Sequence, residues 1–215
     1  MKILVIAAHP DDEVLGMGAT IKKLAKKNHT IHLCVVSEGA SAQYQDEKMI
    51  KVRKDVCVKA GKFLGISQFT FLKFPDAKLD VVSQLEINIE LEKIIGKFKP
   101  EVVYTTPFHD LMKDHQKVHE CTLVATRPIS STVKQVLSYE IPGITKIPFN
   151  PNIYEKIDKE FGYKKKAFQI YKSEVMKFPH PRSIESIENL AIYRGIESGL
   201  RKAEAFQLIR HVLDR

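Results

Sequence analysis

Short unbroken runs of apolar residues alternate along the chain with longer stretches in which apolar positions recur every three or four residues. Residues 3–8 form one such run, closed by His9-Pro10, the pattern of a strand buried on both faces. Residues 13–27 follow as a predicted helix, with Val14, Leu15, Met17, Ile21 and Leu24 along one side. The same reading predicts strands over 30–36, 69–72, 101–105 and 135–139. It predicts helices over 47–64 (ended by Gly65), 85–98 (closed by Pro100) and 114–125. Strands alternating with helices imply βαβ units, so the expected fold is α/β: a three-layer, Rossmann-like, mostly parallel sheet flanked by helices. In such sheets ligands sit just beyond the carboxyl ends of the strands. Residues 9–13, after the first strand, and 108–115, after the fourth, both fall on that rim.

Beyond residue 140 the pattern changes. Residues 141–154 contain Pro142, Pro148 and Pro151 and read as a long ordered connection. Residues 163–176 and 183–200 read as helices separated by Pro179-His180-Pro181, and 205–209 fit either a strand or a short helix. No repeat, low-complexity tract or linker marks a boundary. Residues 1–215 are therefore expected to form a single domain whose C-terminal part is an extension covering the site.

Composition narrows the classes of function. The chain is 44% apolar and 28% charged, enough for a packed core and ordinary for a folded domain. Its net charge of +8 raises the question of nucleic acid. The basic residues are scattered, however, with short runs such as Lys164-Lys165-Lys166 and no aromatic residues interleaved to stack on bases. No nucleic-acid partner is expected. A positive mouth for an anionic substrate is a better use of the excess, and a solvated surface the commoner one. Cys34, Cys57 and Cys121 lack CxxC spacing, and Cys34 reads as a small buried hydrophobe. The apolar start is too short for a signal peptide and runs straight into His9-Pro10-Asp11-Asp12-Glu13. Nothing approaches the ~20 apolar residues of a membrane span, so the cytoplasm is the expected compartment.

His9-Pro10-Asp11-Asp12-Glu13 carries the chemistry. Imidazole and carboxylate together suit Zn²⁺, and a tight turn can bring His9 and Asp12 onto one ion, leaving Asp11 beside the metal-bound water. A plainer reading is that the three acids only favour the first turn of the following helix. The run from Thr106 to His115 lies at the same sheet edge, and His115 can supply a third ligand. A histidine facing an existing ligand pair fits a surface role poorly.

The sequence resembles the LmbE-like, or PIG-L-type, N-deacetylases over nearly its whole length. Residues 8–18, from Ala8 through the His-Pro-Asp-Asp-Glu run to Gly18, look like that family's signature. Asp114-His115 looks like its second motif. Arg53, Pro75-Asp76, Arg194-Gly195 and Ala203-Glu204-Ala205-Phe206 are further similar points. The resemblance implies Zn²⁺ held by His9, Asp12 and His115, with Asp11 as general base and Asp114 beside it in the catalytic set. It implies that Arg53 and Asp76 bind sugar hydroxyls of a small N-acetylated amino-sugar substrate. Family members assemble as dimers, trimers or hexamers, so a homo-oligomer is expected.

One position departs from the family. Where many members read His-x-Asp-His, this chain reads Met112-Lys113-Asp114-His115. The absent histidine is credited with steadying the oxyanion, and a thioether donates no hydrogen bond. His109, Lys113 and His180 are the candidates to replace it. Two alternatives stay open on the sequence: an amidase acting on a non-sugar conjugate, and a zinc-binding protein whose catalysis is reduced or lost through Met112. A sugar-nucleotide transferase lacks support, because Gly16-Met17-Gly18-Ala19 does not continue into GxGxxG spacing.

Overall fold

A computed structural model of the chain describes residues 1–40, 47–143 and 145–213. Among them are seven strands: β1 (Lys2–Ala7), β2 (Thr30–Ser37), β3 (Gln68–Phe74), β4 (Val102–Thr105), β5 (Gln135–Tyr139), β6 (Ile153–Lys156) and β7 (Ala203–His211). Six α-helices accompany them: α1 (Asp12–Lys26), α2 (Glu47–Leu64), α3 (Gln84–Phe98), α4 (Lys113–Ala125), α5 (Phe161–Ile170) and α6 (Ile184–Glu197). The strands form one sheet in the order β3-β2-β1-β4-β5-β7-β6. The first five pair in parallel, while β7 runs antiparallel to both β5 and β6. This is the expected three-layer, mostly parallel sheet. No helix among the described residues is long and apolar enough to cross a membrane.

The layers follow from the two-residue period of a strand. Ile3, Val5 and Ala7 enter one core with Leu15 of α1, Leu64 of α2, Phe168 of α5 and Ala191 of α6. Leu4, Ile6 and Ala8 enter the other, against Leu91 and Ile95 of α3 and Val118 and Cys121 of α4. A strand covered on both faces reads as a continuous apolar run, as residues 3–8 do. Cys34 is fully buried in this second core, as a small hydrophobe would be.

Strand order reverses between β1 and β4, because β2 and β3 lie on one side of β1 and β4 and β5 on the other. Chains leaving the carboxyl ends of these two neighbours diverge to opposite layers and open a crevice between them. The segments after β1 and β4 therefore meet at one place.

The C-terminal third departs from the sequence-based boundaries for identifiable reasons. The segment 205–209 is part of strand β7, held by antiparallel pairing on both sides. The predicted helix over 163–176 begins at Phe161 and stops at Ile170, after which Tyr171 and Glu174 turn into the interior. The connection over 141–154 runs into β6 at Ile153. Position 144 in that connection, and 214–215 at the end of the expected domain, lie outside the described residues.

Helix α1 is two helices joined at Met17, whose φ of −146° and ψ of 26° are non-helical. A helix restarting there has unsatisfied N–H groups, which need acceptors. Glu204 of β7 supplies them, accepting from Ala19 N–H at 3.1 Å and Thr20 N–H at 2.7 Å, with Lys164 Nζ at 2.7 Å balancing its charge. The kink seats Gly16 against the Tyr139 ring so closely that a Cβ there would lie 2.3 Å from Cδ2. Tyr139 cannot withdraw easily, since its hydroxyl donates to the Ile6 carbonyl at 2.9 Å. Gly16→Ala is expected to destabilise the protein by about 1–3 kcal/mol through overpacking. Urea unfolding measures this, and an unchanged midpoint would show that the ring gives way freely.

Candidate metal centre

The turn between β1 and α1 is built around its own acids. Asp12 Oδ2 accepts the His9 backbone N–H at 2.8 Å, which fixes the carboxylate under the turn. His9 Nδ1 then lies 3.6 Å from Asp12 Oδ2. From the opposite side of the crevice, at the start of α4, His115 brings Nε2 to 3.3 Å from Asp12 Oδ1. Ligand atoms of His9, Asp12 and His115 all fall within 4.8 Å of one another, and all three residues are buried. Asp12 Oδ1 and His115 Nε2 have no hydrogen-bond partner. Buried polar atoms are rarely left so, and two lone pairs converging on one point fit a divalent cation.

A second group, His9, Asp76 and Asp114, is equally compact, but its atoms are occupied. Asp114 Oδ1 accepts Leu79 N–H at 2.9 Å, and Oδ2 accepts Ala77 N–H at 2.8 Å while facing His9 Nε2 at 3.0 Å. Asp76 Oδ1 lies 3.2 Å from the same nitrogen. These carboxylates sit behind His9 and orient it, as outer partners of metal-binding imidazoles do. His115 has the same arrangement, its Nδ1 2.9 Å from Asp110 Oδ2. Asp110 carried no sequence signal of its own. Only its place five residues before His115, in the loop leaving β4, hints at the role.

Asp11 caps α1 with φ at 124°, a strained value for a residue with a side chain. Both its carboxylate oxygens are buried without a hydrogen-bond partner. Burial pushes its pKa up to about 6; Arg182 and Arg53 oppose that shift, and the Asp12 and Glu174 charges reinforce it. Glu13 does more than start the helix. Its Oε2 accepts the Asp11 N–H at 3.1 Å, and its Oε1 accepts the Tyr171 hydroxyl at 2.6 Å. Burial, partly offset by Tyr171, raises its pKa to about 8.

Arg53 is buried and committed: Nη1 donates to Glu174 at 2.9 Å and Nη2 to the Pro10 carbonyl at 3.3 Å, while Nε is unpartnered. Glu174 also accepts Arg182 Nη1 at 2.7 Å, and that nitrogen lies 3.5 Å from Asp11 Oδ2. The C-terminal extension thus covers the site, as expected, with Tyr171, Glu174 and Arg182. Met112 is the partly exposed N-cap of α4. His109, Lys113 and His180 are all exposed, and the His180 Nδ1 accepts the Arg182 backbone N–H at 3.0 Å.

Fold and site together define a Rossmann-like α/β protein with a buried two-histidine, one-carboxylate cluster at the sheet's topological switch. The family model for GlcNAc-PI de-N-acetylase, PIG-L, matches residues 4–126, and the chain belongs to this PIG-L (LmbE-like) family. It is 34% identical over 177 residues to the uncharacterized deacetylase YaiS of Escherichia coli K12, covering 80% of this chain and 90% of that protein. Among solved structures it resembles N,N'-diacetylchitobiose deacetylase from Pyrococcus horikoshii, with TM-score 0.81 and 21% identity over 97% of this chain and 84% of that one. It also resembles the 4-carboxy-2-hydroxymuconate hydratase GalB of Pseudomonas putida KT2440, with TM-score 0.78 and 19% identity over 100% and 98%. At these identities both structures speak to the fold alone.

Electrostatics would make metal binding at this cluster pH-dependent. Burial disfavours a charged imidazole at His9 and at His115, but the facing carboxylates outweigh it. Asp114, Asp12 and Asp76 hold His9 well above 6.5, while Asp12 and Asp110 raise His115 to about 9. A cation bound through these ring nitrogens would compete with protons for them. Affinity for a divalent ion is therefore expected to fall as pH drops from about 9. Calorimetry in buffers of different ionisation enthalpy should detect proton release at pH 7. Affinity independent of pH, with no proton release, would remove His9 and His115 from the ligand set.

Proposed function

We propose that the chain is a zinc-dependent N-deacetylase that hydrolyses the amide bond of an N-acetylated amino sugar or its conjugate. The observation that carries this is the Asp11 carboxylate, buried, strained and free of hydrogen bonds beside the converging ligand atoms of His9, Asp12 and His115. A helix-capping acid would use its oxygens on the first-turn N–H groups, and Asp11 makes no such bond. Family membership and the deacetylase names of relatives support the same reading.

His9, Asp12 and His115 would hold the ion, a nitrogen and oxygen set that suits zinc. Zinc when bound lowers the pKa of a coordinated water to about 7 and polarises a carbonyl oxygen. Asp11 accepts a proton from the attacking water as the new C–O bond forms, and returns it to the departing amine nitrogen when the amide C–N bond then breaks. A pKa near 6 before the ion arrives places Asp11 within reach of both steps. Asp114 and Asp110 act as positioning residues, fixing the tautomers of His9 and His115. Asp76, and Arg53 through its unpartnered Nε, are the groups assigned to sugar hydroxyls.

Two measurements test the reading. The zinc-loaded protein should release acetate from at least one of a panel of free, nucleotide-linked and thiol-linked N-acetyl sugars. Asp11→Asn should lower that rate by about 10²–10⁴-fold, the usual contribution of a general acid–base, with zinc content unchanged. Retained activity in Asp11→Asn would mean that another group moves the proton. Bound zinc with no acetate from any substrate would favour an amidase on other conjugates or a protein without catalysis.

A further inference from the structure

Deacetylation requires a group to meet the negative charge that develops on the amide oxygen, and Met112 cannot donate to it. The oxygen that attacks and the oxygen that gains charge become bonded to one carbon. The groups that serve them must therefore be neighbours. Asp11 serves the first, so the search narrows to donors beside Asp11. Two guanidinium groups lie there. Arg53 is buried, with both terminal nitrogens taken by Glu174 and the Pro10 carbonyl. Arg182 lies 3.5 Å from Asp11, and its side chain keeps 28% of its surface exposed. His109, Lys113 and His180 are exposed, and none is paired with Asp11 in the described structure.

We propose that Arg182 is a catalytic residue of this chain, donating to the oxyanion in the role that the family resemblance gives to a histidine at position 112. The inference rests on the deacetylase reading above. Arg182 is preorganised for the task. Glu174 accepts from Nη1 at 2.7 Å and is itself fixed by Arg53 and by the Ser173 hydroxyl at 3.0 Å. The backbone at Arg182 is pinned by Met176 N–H on its carbonyl and by the His180 ring on its N–H. Beyond Glu174 and Asp11, no described group pairs with its guanidinium, so donors remain for a ligand entering from the mouth. A planar, permanently charged fork is well suited to a tetrahedral oxyanion. Met112 on the β4–α4 loop thus offers no donor, while Arg182 on the α5–α6 loop offers one beside Asp11.

The test uses the zinc-loaded full chain and the variants Arg182→Met, Arg182→Lys and Arg182→Ala. Arg182→Met should lower kcat by about 10²–10³-fold, as loss of one oxyanion donor does, with KM and zinc content near their original values. Methylphosphonate, a tetrahedral anion, should bind Arg182→Met at least about tenfold more weakly by calorimetry, since its charged donor is gone. Glucosamine, which lacks that charge, should bind equally. Guanidinium ion added to Arg182→Ala should restore part of the rate, and Met112→His should restore part of it in Arg182→Met. Neither rescue follows from a merely structural role. Arg182→Lys, which keeps the charge and the pairing with Glu174, guards against misfolding and should retain intermediate activity. Unchanged kcat and unchanged methylphosphonate affinity in Arg182→Met would overturn the assignment. Absence of turnover in the unmodified protein would instead sink the deacetylase reading, and the methylphosphonate comparison would still decide whether Arg182 receives a tetrahedral anion.

Discussion

Asp11, Asp12, Asp76, Asp110, Asp114 and Glu174 are all buried along one edge of the sheet. Each such charge costs several kcal/mol to remove from water unless something repays it. Backbone N–H groups satisfy Asp114, Arg53 and Arg182 satisfy Glu174, and imidazoles face Asp12, Asp76, Asp110 and Asp114. The acids in turn raise the affinity of the His9 and His115 rings for a proton. A divalent ion held between these rings, as proposed above, would supply the same kind of compensation. Arg182, folding back from the far end of the chain, adds to this compensation.

The sheet makes this crowding possible. His9 and Asp12 reach the crevice because β1 ends there, and Asp110, Asp114 and His115 reach it because the neighbouring β4 ends there too. Neither segment meets the other in sequence. A parallel pair whose following helices pass to opposite layers is what brings them together, and the two apolar cores hold that geometry.

Much of this was legible in the sequence because strong periodicity and dense chemistry coincide in the first 140 residues. Residues 3–8 announce a doubly covered strand, and His9, Asp12 and His115 announce a candidate ligand set by residue type and by their places after β1 and β4. Positions whose meaning depends on distant partners were not legible. Asp110 matters because a β4 loop turns it toward His115, and Glu13 because Tyr171 arrives from 158 residues away. Arg182 sits in a proline-rich connection that looks like spacing until Asp11 is seen beside it. The strand at 203–211 was ambiguous with a helix because its identity comes from pairing with β5 and β6 rather than from its own residues.

Glu204 ties the history of the chain to its chemistry. It lies on the seventh strand, yet its carboxylate closes the restarted turn of the first helix, whose opening residues are Asp12 and Glu13. A growing polypeptide that has already emerged with its His-Pro-Asp-Asp-Glu segment therefore still lacks the anchor that sets the helix carrying it. The helix that presents Asp12 and Glu13 thus takes its final form only with the last strand of the sheet in place.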